Sequence, residues 1–188
     1  MDFTHDIEKA LQVLHSGGTI LYPTDTVWGI GCDATNVEAV SKIYRIKKRE
    51  ENKALIVLVA DEKDVLKYIS MPDLMVFDYL KSATKPTTVI YEGAIGLAEN
   101  LVANDGTVAI RIVQDDFCRH LIKRFRKPIV STSANISGAV TARIFSEISD
   151  EIKQSVDYVV QSRQDDTRIS EPSAVVKWEK NKLSMLRS

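Results

Sequence analysis

Hydrophobic positions along this chain switch between two spacings. Ile7, Leu11 and Leu14 recur at helical intervals and predict an amphipathic helix over 4–16, with Gly17 placed to end it. The run Thr19–Tyr22 reads as a buried strand stopped by Pro23, followed by a Gly-Ile-Gly turn at 29–31. Thr35-Asn-Val-Glu38 has the form of a capping box, so a helix should begin near Asn36, with Val37, Val40, Ile43 and Tyr44 as its apolar stripe. Leu55–Ala60 predicts a buried strand, Asp61–Ile69 a helix, and Pro72–Leu80 another. Strands follow at Thr87–Tyr91 and Thr107–Val113, around a loop from Gly93 to Asn104. A helix over Asp115–Arg126 leads to a strand at Pro128–Ser131 and a polar turn through Gly138. A short helix at 146–153, a strand at 156–160, a polar loop at 161–170 and strands at 173–178 and 183–187 complete the pattern. This alternation predicts one α/β domain over residues 1–188 with a largely parallel or mixed sheet.

Composition leaves that picture intact. At 188 residues, 44% of them hydrophobic and 27% charged, the chain can bury a sizeable core without staples. Charged residues occupy positions 1–16 where a secretion signal would be apolar, and no run approaches the ~20 residues of a membrane span. A cytoplasmic protein with no membrane contact and two free thiols, Cys32 and Cys118, is expected. A net charge of −1 excludes a wholly basic nucleic-acid binder, so any anion site must be a local cluster of Lys and Arg.

The candidate chemistry lies at strand ends. His5, His15 and His120 sit in no nucleophile or metal motif, which argues against a Ser-His-Asp hydrolase or a zinc centre. Neither common glycine-rich phosphate loop is present. What remains is Thr24-Asp25-Thr26 after one strand, Lys47-Lys48-Arg49 after a helix, and Ser131-Thr-Ser-Ala-Asn135 after another strand. Each has a plain structural role: turn capping for the hydroxyls, and offsetting the helix dipole for the cations. Each could equally grip phosphate or carboxylate. Arg111 interrupts an apolar strand and needs either a partner or an outward face. Arg119, Lys123, Arg124, Arg126 and Lys127 form a basic face that is either solvated surface or an RNA contact.

Four separated elements together match a known pattern. Tyr-Pro-Thr-Asp-Thr-Val-Trp-Gly-Ile-Gly, then Lys47-x-Arg49, then Ser-Thr-Ser-Ala-Asn-x-Ser-Gly, then Glu-Pro-Ser173-Ala-Val-Val with Arg187, closely resembles the YrdC-like family over nearly the whole chain. With its end at Ser188 it resembles the short form, without an added C-terminal domain. The resemblance implies a single-domain, twisted open mixed α/β sheet flanked by helices around a large concave basic cavity. It also implies formation of threonylcarbamoyl-AMP and pyrophosphate from L-threonine, bicarbonate or CO2, and ATP with Mg2+, for threonylcarbamoyladenosine in tRNA.

Carried over by position, Thr24, Thr26, Lys53, Arg111, Ser131 and Ser173 would surround L-threonine. Lys47, Arg49, Thr107, Ser133, Asn135, Thr141 and Arg187 would contact ATP. Asp25 is read as a backbone cap, with no catalytic role. A tRNA or double-stranded RNA contact and a downstream transferase are the further partners the resemblance allows. The competing reading is a non-catalytic RNA-binding module of the same fold; a carbamoyl-AMP activity like that of related hydrogenase-maturation domains belongs to much longer chains. Two positions depart from the family pattern: Glu50 stands where Pro is usual, and Lys85-Pro-Thr-Thr88 replaces Trp-Pro-Gly-Pro-x-Thr.

Overall fold

The computed structural model describes residues 3–50, 55–179 and 182–188. Helix α1 (Thr4–His15) buries Ile7, Ala10 and Leu14, and Gly17 turns the chain at φ 72°, a conformation glycine adopts without a Cβ clash. Strand β1 (Ile20–Tyr22) then passes through the Thr24–Thr26 turn into β2 (Gly29–Gly31). The expected Gly-Ile-Gly turn is therefore a strand, paired antiparallel with β1. Its glycines mark close approach instead of reversal. A Cβ on Gly31 would lie 2.4 Å from the Val130 carbonyl oxygen and 2.7 Å from the Tyr22 ring, and one on Gly29 would lie 2.9 Å from Ser131 Oγ.

Helix α2 (Val37–Ile46) is capped by Asn36, whose side chain accepts from Ala39 N–H. The cap thus sits one residue after the Thr35 of the expected capping box, because Thr35 donates its hydroxyl to Asp33 instead. The chain continues through β3 (Ile56–Val59), α3 (Glu62–Tyr68), α4 (Met75–Ser82), β4 (Thr87–Glu92) and β5 (Thr107–Ile112). Next come α5 (Asp116–Phe125), β6 (Ile129–Ser133), α6 (Asp150–Ser155), β7 (Tyr158–Val159), β8 (Ala174–Glu179) and β9 (Lys182–Arg187). Strand β6 runs two residues further than expected, so Thr132 and Ser133 belong to the sheet and not to a turn. The helix expected over 146–153 divides into a single 3₁₀ turn at Phe145–Glu147 and α6.

Among the described residues the strands form one mixed sheet in the order β7-β1-β2-β6-β3-β5-β4-β8-β9. Pairs β1/β7, β3/β5 and β4/β8 are parallel; the others are antiparallel. Helices α1 and α5 pack on each other, with α1 against β1 and α5 against β3. Leu14, Ile20, Val57, Leu121, Val130 and their neighbours form a continuous buried core. No helix among the described residues is long and apolar enough to cross a membrane.

Candidate active site

Register across the sheet assembles the site. Cross-strand partners share a face, so Arg111 on β5, Thr88 on β4, Val175 on β8 and Arg187 on β9 form one row. Ser131 on β6, Ile56 on β3, Ala109 on β5 and Ile90 on β4 form the next. All eight line a cavity of about 290 Å³, together with Thr26, Trp28 and Gly29. Among the described residues its charged lining is Arg49, Arg111 and Arg187, with no carboxylate. The alternation that would allow Arg111 to face solvent instead turns it inward, where it is 3% exposed.

Arg111 is the electrostatic centre of this floor. Its Nη2 lies 3.0 Å from Asp25 Oδ1, yet neither atom makes an aligned hydrogen bond, and Arg111 Nε also has no hydrogen-bond partner. A guanidinium sealed from water with unspent N–H groups is costly unless a further acceptor arrives. Asp25 does act as a backbone cap, since its Oδ2 accepts from Gln114 N–H at 3.0 Å. Its pairing with Arg111 was not legible in the sequence.

The turn before β2 divides its two hydroxyls. Thr24 Oγ1 donates to the Val27 carbonyl and accepts from Thr26 N–H, so its bonding is spent inside the turn, and Thr24 does not line the cavity. Thr26 does line it, with its hydroxyl 3.0 Å from that of Thr24. Arg163, held by Asp115, donates to the Thr24 carbonyl and pins the turn from behind.

The three consecutive cations after α2 go to three places. Lys47 is 1% exposed, and its ammonium donates to the carbonyls of Ser133 at 2.6 Å and Asn135 at 2.7 Å. Burial, reinforced by Arg49, pulls its pKa down to about 8. Lys48 pairs with Glu151 at the surface, and Arg49 enters the cavity lining. Lys47 therefore tethers the turn after β6 and does not line the cavity. Within that turn Ser133 Oγ donates to Asn135 Oδ1 at 2.5 Å, and Asn135 Nδ2 donates to the carbonyls of Ile136 and Ala139. Ser133 and Thr141 line the cavity; Asn135 supports it from outside.

The far wall comes from the last strands. Ser173, 2% exposed, shares a 2.8 Å hydroxyl contact with Thr88, and its carbonyl accepts from Arg187 Nε at 3.0 Å. Thr88 belongs to the segment that departs from the family pattern, and the sequence signal for it is a hydroxyl at the start of an apolar strand. Trp28 forms part of the wall with Phe145 behind it, ring centroids 4.8 Å apart. Of the remaining assigned residues, Thr107 spends its hydroxyl on Asp105 away from the cavity, and Lys53 lies outside the described residues.

Comparison with known proteins gives this arrangement a family. The Sua5_yciO_yrdC family profile, described as telomere recombination, matches residues 12–188, and the chain belongs to that family. A Methanocaldococcus jannaschii protein provisionally named threonylcarbamoyl-AMP synthase is 35% identical over 184 residues, covering 96% of this chain and 86% of that one. The threonylcarbamoyl-AMP synthase of Pseudoalteromonas translucida is 32% identical over 157 residues, covering 82% of this chain and 84% of its own. The crystal structure of P. abyssi Sua5 complexed with L-threonine aligns with a TM-score of 0.87 at 23% identity over 96% of this chain. This chain spans about half, 53%, of that longer one. At that identity the likeness is one of fold: a large twisted mixed sheet flanked by helices.

Proposed function

We infer that this chain is an L-threonylcarbamoyladenylate synthase, a nucleotidyltransferase acting on L-threonine, bicarbonate or CO2, and ATP. The observation that carries the reading is the buried Arg111 guanidinium, whose ion pair with Asp25 has no aligned hydrogen bond, in a cavity whose charged lining among the described residues is entirely arginine. Arg111 suits a substrate carboxylate, while Arg49 and Arg187 suit a triphosphate. The threonine amine attacks the carbon of CO2, which bicarbonate supplies by losing hydroxide, and sheds a proton to give the carbamate. The carbamate oxygen attacks the α-phosphorus and pyrophosphate leaves.

That chemistry needs positioning and charge neutralisation more than a protein nucleophile. The lining accords with this, since it holds hydroxyls and arginines. Cys32 and Cys118 lie outside it, with burial pushing both thiols up. Among the described residues the lining includes no carboxylate or imidazole, and there is no group of three His, Cys, Asp or Glu side chains able to hold a metal. The described lining thus offers Mg2+ no set of side-chain ligands; such an ion would arrive as part of the nucleotide substrate.

The RNA-module reading draws less support, because none of Arg119, Lys123, Arg124, Arg126 and Lys127 lines the cavity. Contacts with tRNA and with a downstream transferase belong to this proposal as the route by which an unstable adenylate is used. Pyrophosphate release from ATP tests the reading. It should require both threonine and bicarbonate, and release indifferent to threonine would refute it.

A further inference from the structure

Asp25 is a carboxylate sealed beside the arginine on which the proposed threonine subsite depends. The side chains of Arg111 and Asp25 are 3% and 7% exposed, and Nη2 and Oδ1 are 3.0 Å apart. Asp25 does not line the arginine-rich cavity. It lines a separate cavity of about 500 Å³ behind the Thr24–Thr26 turn, with Gln114 and Arg163 among its neighbours. Its other oxygen is fixed by Gln114 N–H, three residues beyond Arg111 along the same segment. The backbone that carries the guanidinium therefore also holds the carboxylate facing it.

This pair is not arranged as a self-sufficient salt bridge. A buried ion pair offsets its desolvation only with well-aligned hydrogen bonds, and here Asp25 Oδ1, Arg111 Nη2 and Arg111 Nε all lack one. Nε and Nη2 are sealed from solvent on the Asp25 side, so a carboxylate in the cavity would meet the remainder of the guanidinium, whose plane this contact sets. Asp25 thus orients the guanidinium from its buried side.

We propose that Asp25 is a positioning residue that sets the plane of the Arg111 guanidinium for the amino-acid carboxylate, and so controls threonine affinity without touching threonine. The inference rests on the threonine reading of the cavity. Asp25→Asn is the informative change. One face of the new amide must carry an N–H, which meets either Arg111 Nη2 or Gln114 N–H donor to donor, so either orientation turns the guanidinium or frees the turn.

Calorimetry on the full chain measures the affinities for threonine, for 3-hydroxybutanoate (threonine without its amine) and for ATP. Asp25→Asn should weaken threonine and 3-hydroxybutanoate alike by ~10–100-fold, leave the ATP Kd within ~2-fold, and be partly rescued by Asp25→Glu. In turnover the loss should appear in the threonine KM and not in kcat. Unchanged threonine affinity overturns the proposal. So does weakening confined to threonine, which would mean that Asp25 grips the amine, and so does equal weakening of ATP, which would mean a general structural role. Wild-type protein that binds no threonine would instead overturn the functional reading underneath.

Discussion

Replacing Lys47 with methionine keeps the length of a buried side chain and removes its donors. The carbonyls of Ser133 and Asn135 lose a charged donor at 2.6 and 2.7 Å, each contact worth about 1.5–3 kcal/mol. Against this, the wild-type ammonium is desolvated. A pKa drawn from 10.5 to about 8 corresponds, at ~1.36 kcal/mol per unit, to about 3 kcal/mol, a ceiling because the two carbonyls favour the charged form. The net expectation at pH 7 is a destabilisation of about 1–3 kcal/mol. Its pH dependence has a fixed sign. Between about pH 8 and 10.5 the unfolded lysine holds its proton while the folded one has lost it, so wild-type stability rises with pH in that window. The neutral amine still has N–H groups for both carbonyls, so the deficit of Lys47→Met should widen by up to about 3 kcal/mol from pH 8 to pH 10.5. Urea melts of both proteins at pH 7, 8, 9 and 10 read this directly. A deficit that stays constant or narrows above pH 8 would refute the depressed pKa of Lys47.

Three further changes separate site from scaffold. Arg49→Ala should lower ATP affinity by ~10-fold or more while calorimetric stability moves by less than ~1 kcal/mol; an unfolded variant with unchanged activity per folded molecule would assign Arg49 to the helix dipole. Gly31→Ala should cost about 3 kcal/mol in thermal melts, because the new Cβ meets backbone oxygen at 2.4 Å; an unshifted Tm would contradict the tight β1–β2–β6 packing. Burial raises the Asp6 pKa, but hydrogen bonds from Ser162, Tyr158 and the Gln161 backbone outweigh it and hold the carboxyl below its usual 3.8. Its stabilisation is therefore present above that value and lost as pH falls below it, and Asp6→Asn should flatten stability between pH 4 and 2.

The sequence made the helices and most strands legible because their periodicities are set by the core they bury. Gly29–Gly31 was not, since glycine signals a turn locally and reveals close strand packing only through neighbours brought in by β6. Thr132 and Ser133 read as turn in the sequence for a related reason: β6 extends because β2 pairs with it. In the site, the hydroxyl and arginine types were visible, but their division of labour was not. Whether Lys47 faces phosphate or the Ser133 and Asn135 carbonyls depends on a contact 86 residues away. Thr24 and Asp25 likewise act through Val27, Arg111 and Gln114, partners that only the folded chain supplies.

The most direct test of the functional reading is mass detection of the product. Purified protein incubated with ATP, L-threonine and bicarbonate should yield threonylcarbamoyl-AMP together with pyrophosphate, and omitting threonine or bicarbonate should abolish both. Arg111→Lys, which keeps charge but loses the planar guanidinium, should raise the threonine requirement by ~10-fold or more. Absence of the adenylate from protein that binds both ATP and threonine, or its formation undiminished in Arg111→Ala, would contradict the account.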